Sequence, residues 1–532
     1  MSLFTAQLHP GRALGFFTLG ASLHDVLTRV KAEPQAFPKL EVLYSRDQPV
    51  TEPVCVVLPQ NGIRLRFDGP EQRLRLIEVI DFTKSHITFK DRDLVRPAGT
   101  GAAAAAEVPG ESSAGPTFRH IYHRLLGPTY AGEFIPPAGS SSQGNGTYVL
   151  SYPGVAFNFS VPTSAYSADK DVVSLLSASS SQVATSMAVF SGNSWAEVRP
   201  TLWTEVLPSV KVTSTTPRGK DVYPDEVSLV RLHGGGKIQL FRKWTPNSFW
   251  IILGETTPQD IVAELGPPNA IYRKNDQKMV IHKMRAASSN AHGRPTVKDL
   301  AGRPDESTDT DQSSMHTGSD ESDNEAAVED EGGENASGEC FYNYFYFGFD
   351  ILMSTPAPPS MLPPGETQVP DDVGNGIKNH APDRLVATKL VLHGNIPGSY
   401  EFNRHRRCRW EISYLDDLVG DGGHVDSEME FKAIESLMRR KWEGAYPSAA
   451  AGDKAQQQQQ QQQQQPRQGG MVLNRGWGDS PGSSCEFLGG WEESGARRPE
   501  ANNGDSTTTL YGFPGMVFEV LRNDYVNTVT VF

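Results

Sequence analysis

The densest run of chemistry-bearing side chains is Arg404-His405-Arg406-Arg407-Cys408-Arg409, with Phe402 and Trp410 close by. Guanidinium groups present planar donor forks that match phosphate and carboxylate oxygens. Arg404, His405, Arg406, Arg407 and Arg409 are therefore the expected contact for an acidic partner segment or a phosphoinositide headgroup. The competing reading pairs these cations with Glu401, Asp416 and Asp417 on a solvated strand, where an exposed ion pair is worth only about 0–1 kcal/mol. One short patch offers too few phosphate contacts to hold nucleic acid.

Other motifs promise less chemistry. Gly478-Asp479-Ser480-Pro481-Gly482 matches the spacing of a nucleophile elbow, and His233-Gly234-Gly235-Gly236 is similar to an oxyanion loop. An elbow needs a strand before its serine and a helix after it. Ser480 lies instead in a Gly/Ser/Pro-rich stretch near polyglutamine, and Pro481 opposes the turn into a helix. Gly234-Gly235-Gly236-Lys237 lacks the spacing of a phosphate-binding loop and the Ser or Thr after the lysine, and reads as a hairpin turn. His120 and His123 stand one helical turn apart without a third metal ligand nearby. No catalytic, cofactor-binding or metal-binding residue is expected, and the chain does not read as an enzyme.

The elements that must position these residues recur along the chain. Residues 253–282 open with Thr257 as N-cap and Pro258 at the first helical position. Ile261, Val262 and Leu265 mark an apolar face, and Gly266-Pro267-Pro268 ends the helix. An extended run follows, ending at Met279-Val280-Ile281. Similar helices are expected over residues 19–30, 118–126 and 431–442. After each comes a strand, a tight turn, a second strand and a further strand. Their turns fall at Asn61-Gly62, Pro153-Gly154, Gly348 and Pro514-Gly515. Tyr152-Pro153-Gly154-Val155-Ala156-Phe157 and Phe513-Pro514-Gly515-Met516-Val517-Phe518 share one pattern. The fold class is α+β, with about four tandem helix-plus-antiparallel-meander units and long disordered insertions. These units resemble beta-lactamase-inhibitor-like repeats. Trp195, Trp203, Trp244 and Trp250 are expected to anchor the core or a boundary between units.

Composition sets the boundaries. The first unit spans 1–97 and an Ala/Gly/Ser-rich linker 98–116. The second unit, with additional strands, spans 117–250. The third comprises 251–284 and 339–415, interrupted by a disordered acidic insertion at 285–338 and a Pro/Gly-rich loop at 355–386. The fourth comprises 431–443 and 507–532 around a disordered, polyglutamine-containing insertion at 444–506. The net charge is −14, and residues 305–334 hold 12 acids and no Lys or Arg. The remainder is nearly neutral and carries no global field for nucleic acid. No apolar run is long enough to span a bilayer, and the first residues lack a secretory pattern. The four cysteines, Cys55, Cys340, Cys408 and Cys485, are scattered as in a reduced compartment.

Several phrases carry a family resemblance. They are the run from Pro34 to Ser45, that from Asn61 to Pro70, Gly127-Pro128-Thr129-Tyr130-Ala131-Gly132-Glu133-Phe134, that from Lys220 to Val227, residues 253–283, and His393-Gly394-Asn395 through Trp410. Together they resemble the phagosome assembly factor 1 family over most ordered parts of the chain. The resemblance implies a non-enzymatic cytosolic autophagy factor, recruited to the phagophore assembly site with a WD40-propeller partner and associated with phosphoinositide-bearing membranes. It also implies an alternative role as an adaptor in trans-Golgi vesicle trafficking. The family supplies no catalytic motif to carry over.

Overall fold

Thr257 opens the helix Pro258–Leu265 through a reciprocal cap: its hydroxyl accepts from the Asp260 N–H, and the Asp260 carboxylate accepts from the Thr257 N–H at 3.0 Å. Gly266 ends the helix at φ 79°, a conformation costly for a side-chain-bearing residue. Ile261 and Leu265 are buried as expected, whereas Val262 is 38% exposed. In the computed structural model the described residues are 4–95, 115–129, 132–137, 144–167, 169–176, 182–207, 225–273, 339–356, 384–420, 422–443, 470–474 and 507–532.

The chain is α+β. Its two largest sheets each join two antiparallel four-stranded meanders through their last strands. In the first sheet, Glu41–Leu43, Val54–Leu58, Ile63–Phe67 and Leu74–Val79 form one meander. Glu133–Ile135, Asn145–Tyr152, Val155–Pro162 and Ala184–Val189 form the other, and Met187 lies opposite Val79 at the seam. In the second sheet, Ala270–Arg273, Cys340–Tyr344, Phe349–Ser354 and Val386–His393 meet Met471–Asn474, Thr507–Phe513, Met516–Val520 and Val526–Val531. There Leu390 lies opposite Val531.

Each large sheet has a smaller companion built the same way. Phe4–His9, Ala13–Leu14 and Phe17–Thr18 form a short meander, and Ser85–Phe89 adds to it parallel to Phe4–His9. Val227–Leu232, Lys237–Arg242 and Ser248–Ile252 form its counterpart, and Trp410–Ile412 adds parallel to Val227–Leu232. The element order is thus the same twice. Three short strands lead to a helix (Leu23–Ala32 or Pro258–Leu265) and a meander. A parallel strand then returns to the companion sheet, and a second helix precedes the closing meander. That second helix is Phe118–His120, continued by a wider turn over Ile121–Leu125, in the first half. It is Phe431–Lys441 in the second.

Two large apolar clusters follow the two halves. Phe17, Phe37, Phe67 and Phe157 sit in the first; Phe349, Trp410, Phe431 and Phe518 sit in the second. Each such aromatic removes a large apolar area from water. The first helix runs over Leu23–Ala32 rather than from residue 19, because the Ser22 hydroxyl accepts from the Asp25 N–H and fixes the start. Of the expected tryptophan anchors, Trp195 and Trp203 flank a small satellite cluster, and Trp250 is 43% exposed on an edge strand. Among the described residues, Trp410 is the tryptophan buried in the core.

The strand expected to end at residues 279–281 lies outside the described residues, although its start at Ala270–Arg273 is paired. Residues 98–114, the insertion at 285–338, most of the 355–386 loop and, of the 444–506 insertion, all but 470–474 (Ser480 included) also lie outside them. Met471–Asn474 corrects the expectation of disorder there, since backbone bonding to Thr507–Phe513 makes it an edge strand of the second large sheet. Among the described residues no helix is long and apolar enough to cross a membrane.

Candidate functional site

Residues 403–409 run from the second large sheet toward Trp410–Ile412 and are held by backbone bonds on the way. The Arg406 N–H donates to the Phe345 carbonyl and the Cys408 N–H to that of His393, each at 2.9 Å. This places the arginine run between the two halves of the molecule.

Arg404 remains at the surface, 51% exposed, with Glu401 at 3.9 Å. Arg406 is buried. Its Nε donates to Asp25 Oδ1 at 3.0 Å, its Nη2 pairs with Asp25 Oδ2, and its Nη1 lies 3.2 Å from Glu226 Oε1. The Tyr346 ring covers the guanidinium, 3.5 Å from Cζ to the ring centroid. Burial disfavours the charged guanidinium, yet Asp25, with Tyr346 and Glu226, holds its affinity for the proton above the usual range. Burial likewise works against the Asp25 carboxylate, but Arg406 and His24 hold it well below the usual carboxylate range.

The Arg407 side chain is 1% exposed and spends its donors on three backbone carbonyls. They belong to Pro70 at 2.8 Å, Gly394 at 2.8 Å and Ser427 at 3.2 Å. Arg409 donates to Glu428 at 2.9 Å and lies 3.8 Å from Glu71. Glu71 also pairs with Lys243, and Glu226 also pairs with Arg73 at 2.8 Å. A reciprocal amide pair completes the seam. Gln72 Nε2 donates to the Asn395 carbonyl and Asn395 Nδ2 donates to Gln72 Oε1, both at 2.8 Å. Buried polar groups must be satisfied in this way, because an orphaned one costs about 1–3 kcal/mol.

The expected surface patch is therefore divided. His405, Arg406 and Arg407 face inward, Arg409 is partly covered, and Arg404 alone stands free of the interior. Of the acids proposed from local sequence, Glu401 does meet the run, at Arg404, whereas Asp416 pairs elsewhere. Asp416 meets His424 at 3.2 Å, while Glu401 meets His393 as well as Arg404. The principal partners are distant in sequence: Asp25, Glu71, Glu226 and Glu428.

A second constellation adjoins the first. The His393 and His405 rings stack at 3.7 Å between centroids and 10° between planes. Each Nε2 reaches a different oxygen of Asp350, at 2.9 Å for His393 and 3.0 Å for His405. Burial works against the Asp350 carboxylate, but bonds from both rings hold it far below its ordinary range. Burial pulls His393 down too, yet its bonds to Asp350 and Glu401 push it up to about 9. Burial, with His393 against it, pulls His405 down to about 4. The charged state is thus one imidazolium and one neutral ring sharing a carboxylate.

Asp350, His393 and His405 bring ligand-type atoms within 4.8 Å of one another. A tetrahedral metal needs lone pairs that converge in the ring planes. Parallel rings stacked face to face direct theirs side by side, so the arrangement suits a hydrogen-bonded clasp better than a metal centre. Of its members, sequence reasoning found only His405. Asp350 carried a legible signal, an acid within Phe349-Asp350-Ile351-Leu352-Met353, where every residue of the strand is buried. Asp25 carried none beyond its place in a helix's first turn.

Fold and site define an α+β protein of paired antiparallel meanders, with two like-ordered halves fastened by an internal network of ion pairs. The chain belongs to the phagosome assembly factor 1 family, whose model matches residues 13–297 and 379–532. It is 22% identical to a PHAF1 protein of Arabidopsis thaliana, over 99% of this chain and 92% of that one. It is 20% identical to a PHAF1 protein of Drosophila melanogaster, over 97% and 90%. It is 21% identical to one of Caenorhabditis elegans, over 75% of each. No solved structure matches it.

Proposed function

We propose that this protein is a non-enzymatic interaction factor in autophagy, acting at the phagophore assembly site together with a WD40-propeller partner. The observation that carries the reading is the family match over both halves, under the description phagosome assembly factor 1. The architecture supports it. Four helix-plus-meander units, read as degenerate copies of one another, make an extended scaffold of the kind that presents long faces to other proteins.

The placement of the arginines bears on how such a factor meets membranes. Because Arg406 and Arg407 are committed to internal partners, phosphoinositide contact through this segment falls to Arg404. We assign most of the lipid contact to the propeller partner. The test is affinity purification of the tagged full chain from starved and fed cells, read by mass spectrometry. A WD40-propeller autophagy protein enriched on starvation is the expected result. Recovery of Golgi tethers and coat components in its place overturns the reading in favour of trans-Golgi trafficking.

A further inference from the structure

The repeated element order supplies an internal comparison. In the first half, the turn after Phe4–His9 touches the hairpin tip at Pro153-Gly154. The Gly11 N–H donates to the Gly154 carbonyl at 2.9 Å, and a Cβ on Gly154 would stand 2.0 Å from the Gly11 nitrogen. In the second half, the equivalent turn is Gly234-Gly235-Gly236 and the equivalent tip is Pro514-Gly515. These do not touch. A Cβ on Gly515 would meet only the Phe532 carbonyl, at 3.5 Å. Between them lies a groove of about 420 Å³, closed on a third side by Tyr414 and Trp442. Where one half seals backbone to backbone, the other leaves a space of ligand size.

The groove's chemistry is incomplete. The Trp442 ring lines the groove, and Nε1, a donor only, is buried without an acceptor among the described residues. The Tyr414 hydroxyl meets the sulfurs of Met438 and Met516 at 3.7 and 3.5 Å, which are weak acceptors. Lys237 and Lys441 line the groove, are exposed, and form no ion pair among the described residues. Leu232 and Met516 give it an apolar floor. The apolar surface continues outward, since His233 at the rim packs against the exposed Trp250, with ring centroids 4.9 Å apart and planes inclined by 34°.

We propose that this groove docks an acidic peptide segment of a partner protein. One bulky apolar side chain of the peptide sits on the floor against the Trp442 ring, and flanking carboxylates meet Lys237 and Lys441. The charge complementarity is cationic at the rim and apolar within, which fits an amphipathic ligand better than a free inorganic anion. The outward apolar extension to Trp250 fits an extended chain better than a compact small molecule. The inference does not depend on the autophagy reading, which concerns the assembly in which the protein acts.

The test uses the full chain and a fluorescein-labelled nonapeptide with one central phenylalanine flanked by glutamates. Saturable anisotropy is expected, with a shift of the Trp442 indole N–H resonance. Lys237→Glu with Lys441→Glu should weaken binding at least tenfold. Trp442→Ala, which removes the ring that lines the groove, should weaken it severalfold. Thermal melts establish that the variants fold. An unmoved Trp442 resonance at millimolar peptide overturns the proposal, as does equal affinity for a peptide with serine in place of the phenylalanine. Equal competition by inorganic phosphate reduces the site to a simple anion site. Competition by anionic vesicles through the same lysines makes the occupant a membrane. Binding that appears only after deletion of residues 305–334 makes the occupant this chain's own acidic segment. Each of these three outcomes overturns the assignment to a partner peptide.

Discussion

Arg406 Nε donates to Asp25 Oδ1 at 3.0 Å, joining two residues separated by 381 positions in sequence. The first belongs to the loop before the strand Trp410–Ile412, the second to the first turn of the helix Leu23–Ala32. The bond is one strand of a web that also includes Glu226, Arg73, Glu71, Lys243 and Arg409. A buried ion pair adds little net stability over an apolar substitute, but losing one partner strands the other charge.

That asymmetry separates neighbouring arginines. Arg406→Ala leaves Asp25 and Glu226 without their shared cation and should destabilise the fold by about 3–5 kcal/mol. Arg404→Ala, at a half-exposed side chain with one long contact, should change stability by no more than ~0.5 kcal/mol. Urea unfolding of both variants measures the difference. Equal effects would return the run to a surface role.

The histidine clasp gives the molecule a pH optimum. His393 is raised from its ordinary 6.5 to about 9, so its contribution is fully present below pH 6.5 and is lost as pH rises through about 9. His405 is lowered from 6.5 to about 4, so its contribution is present above pH 6.5 and is lost as pH falls through about 4. Stability from this pair should peak near pH 6.5 and decline on both sides. Denaturation between pH 4 and 9 checks this. His393→Gln should flatten the alkaline limb, while His405→Asn should flatten the acid limb.

The helices and hairpins were legible because their signals are local. Thr257-Pro258 and Gly266 mark both ends of one helix, and the strands Val54–Leu58 and Ile63–Phe67 were readable from alternation about Asn61-Gly62. The companion sheets were only partly legible, since a parallel pairing such as Val230 with Trp410 leaves no local trace. The arginine run was legible as a cluster, but its role was not. Whether Arg406 faces solvent or Asp25 depends on how the halves meet, and no periodicity in residues 403–409 encodes that.

The two like-ordered halves predict unequal glycines. Gly154 has φ 79°, and a Cβ there meets the Gly11 backbone; Gly515 has φ 75° and meets only ordinary contact. Gly515→Ala should cost the left-handed strain alone, about 1–2 kcal/mol. Gly154→Ala adds a backbone clash that no rotamer relieves, and should exceed about 4 kcal/mol. Melting temperatures of the two variants decide it, and similar losses would refute the sealed-versus-open contrast between the halves.

The acidic segment should be dispensable to the fold. Ala270–Arg273 and Cys340–Tyr344 already pair antiparallel, with Arg273 opposite Cys340, so the stretch between them closes a loop at one sheet edge. Each doubling of loop length costs about 0.6 kcal/mol of closure entropy. Excising residues 286–337 shortens the loop by about two doublings and should stabilise the chain by ~1 kcal/mol. It also removes a block of like charges whose mutual repulsion opposes compaction. A melting temperature equal to or above that of the full chain is expected. A lower one, or aggregation of the shortened chain, would mean that the segment packs against the second large sheet and belongs to its core.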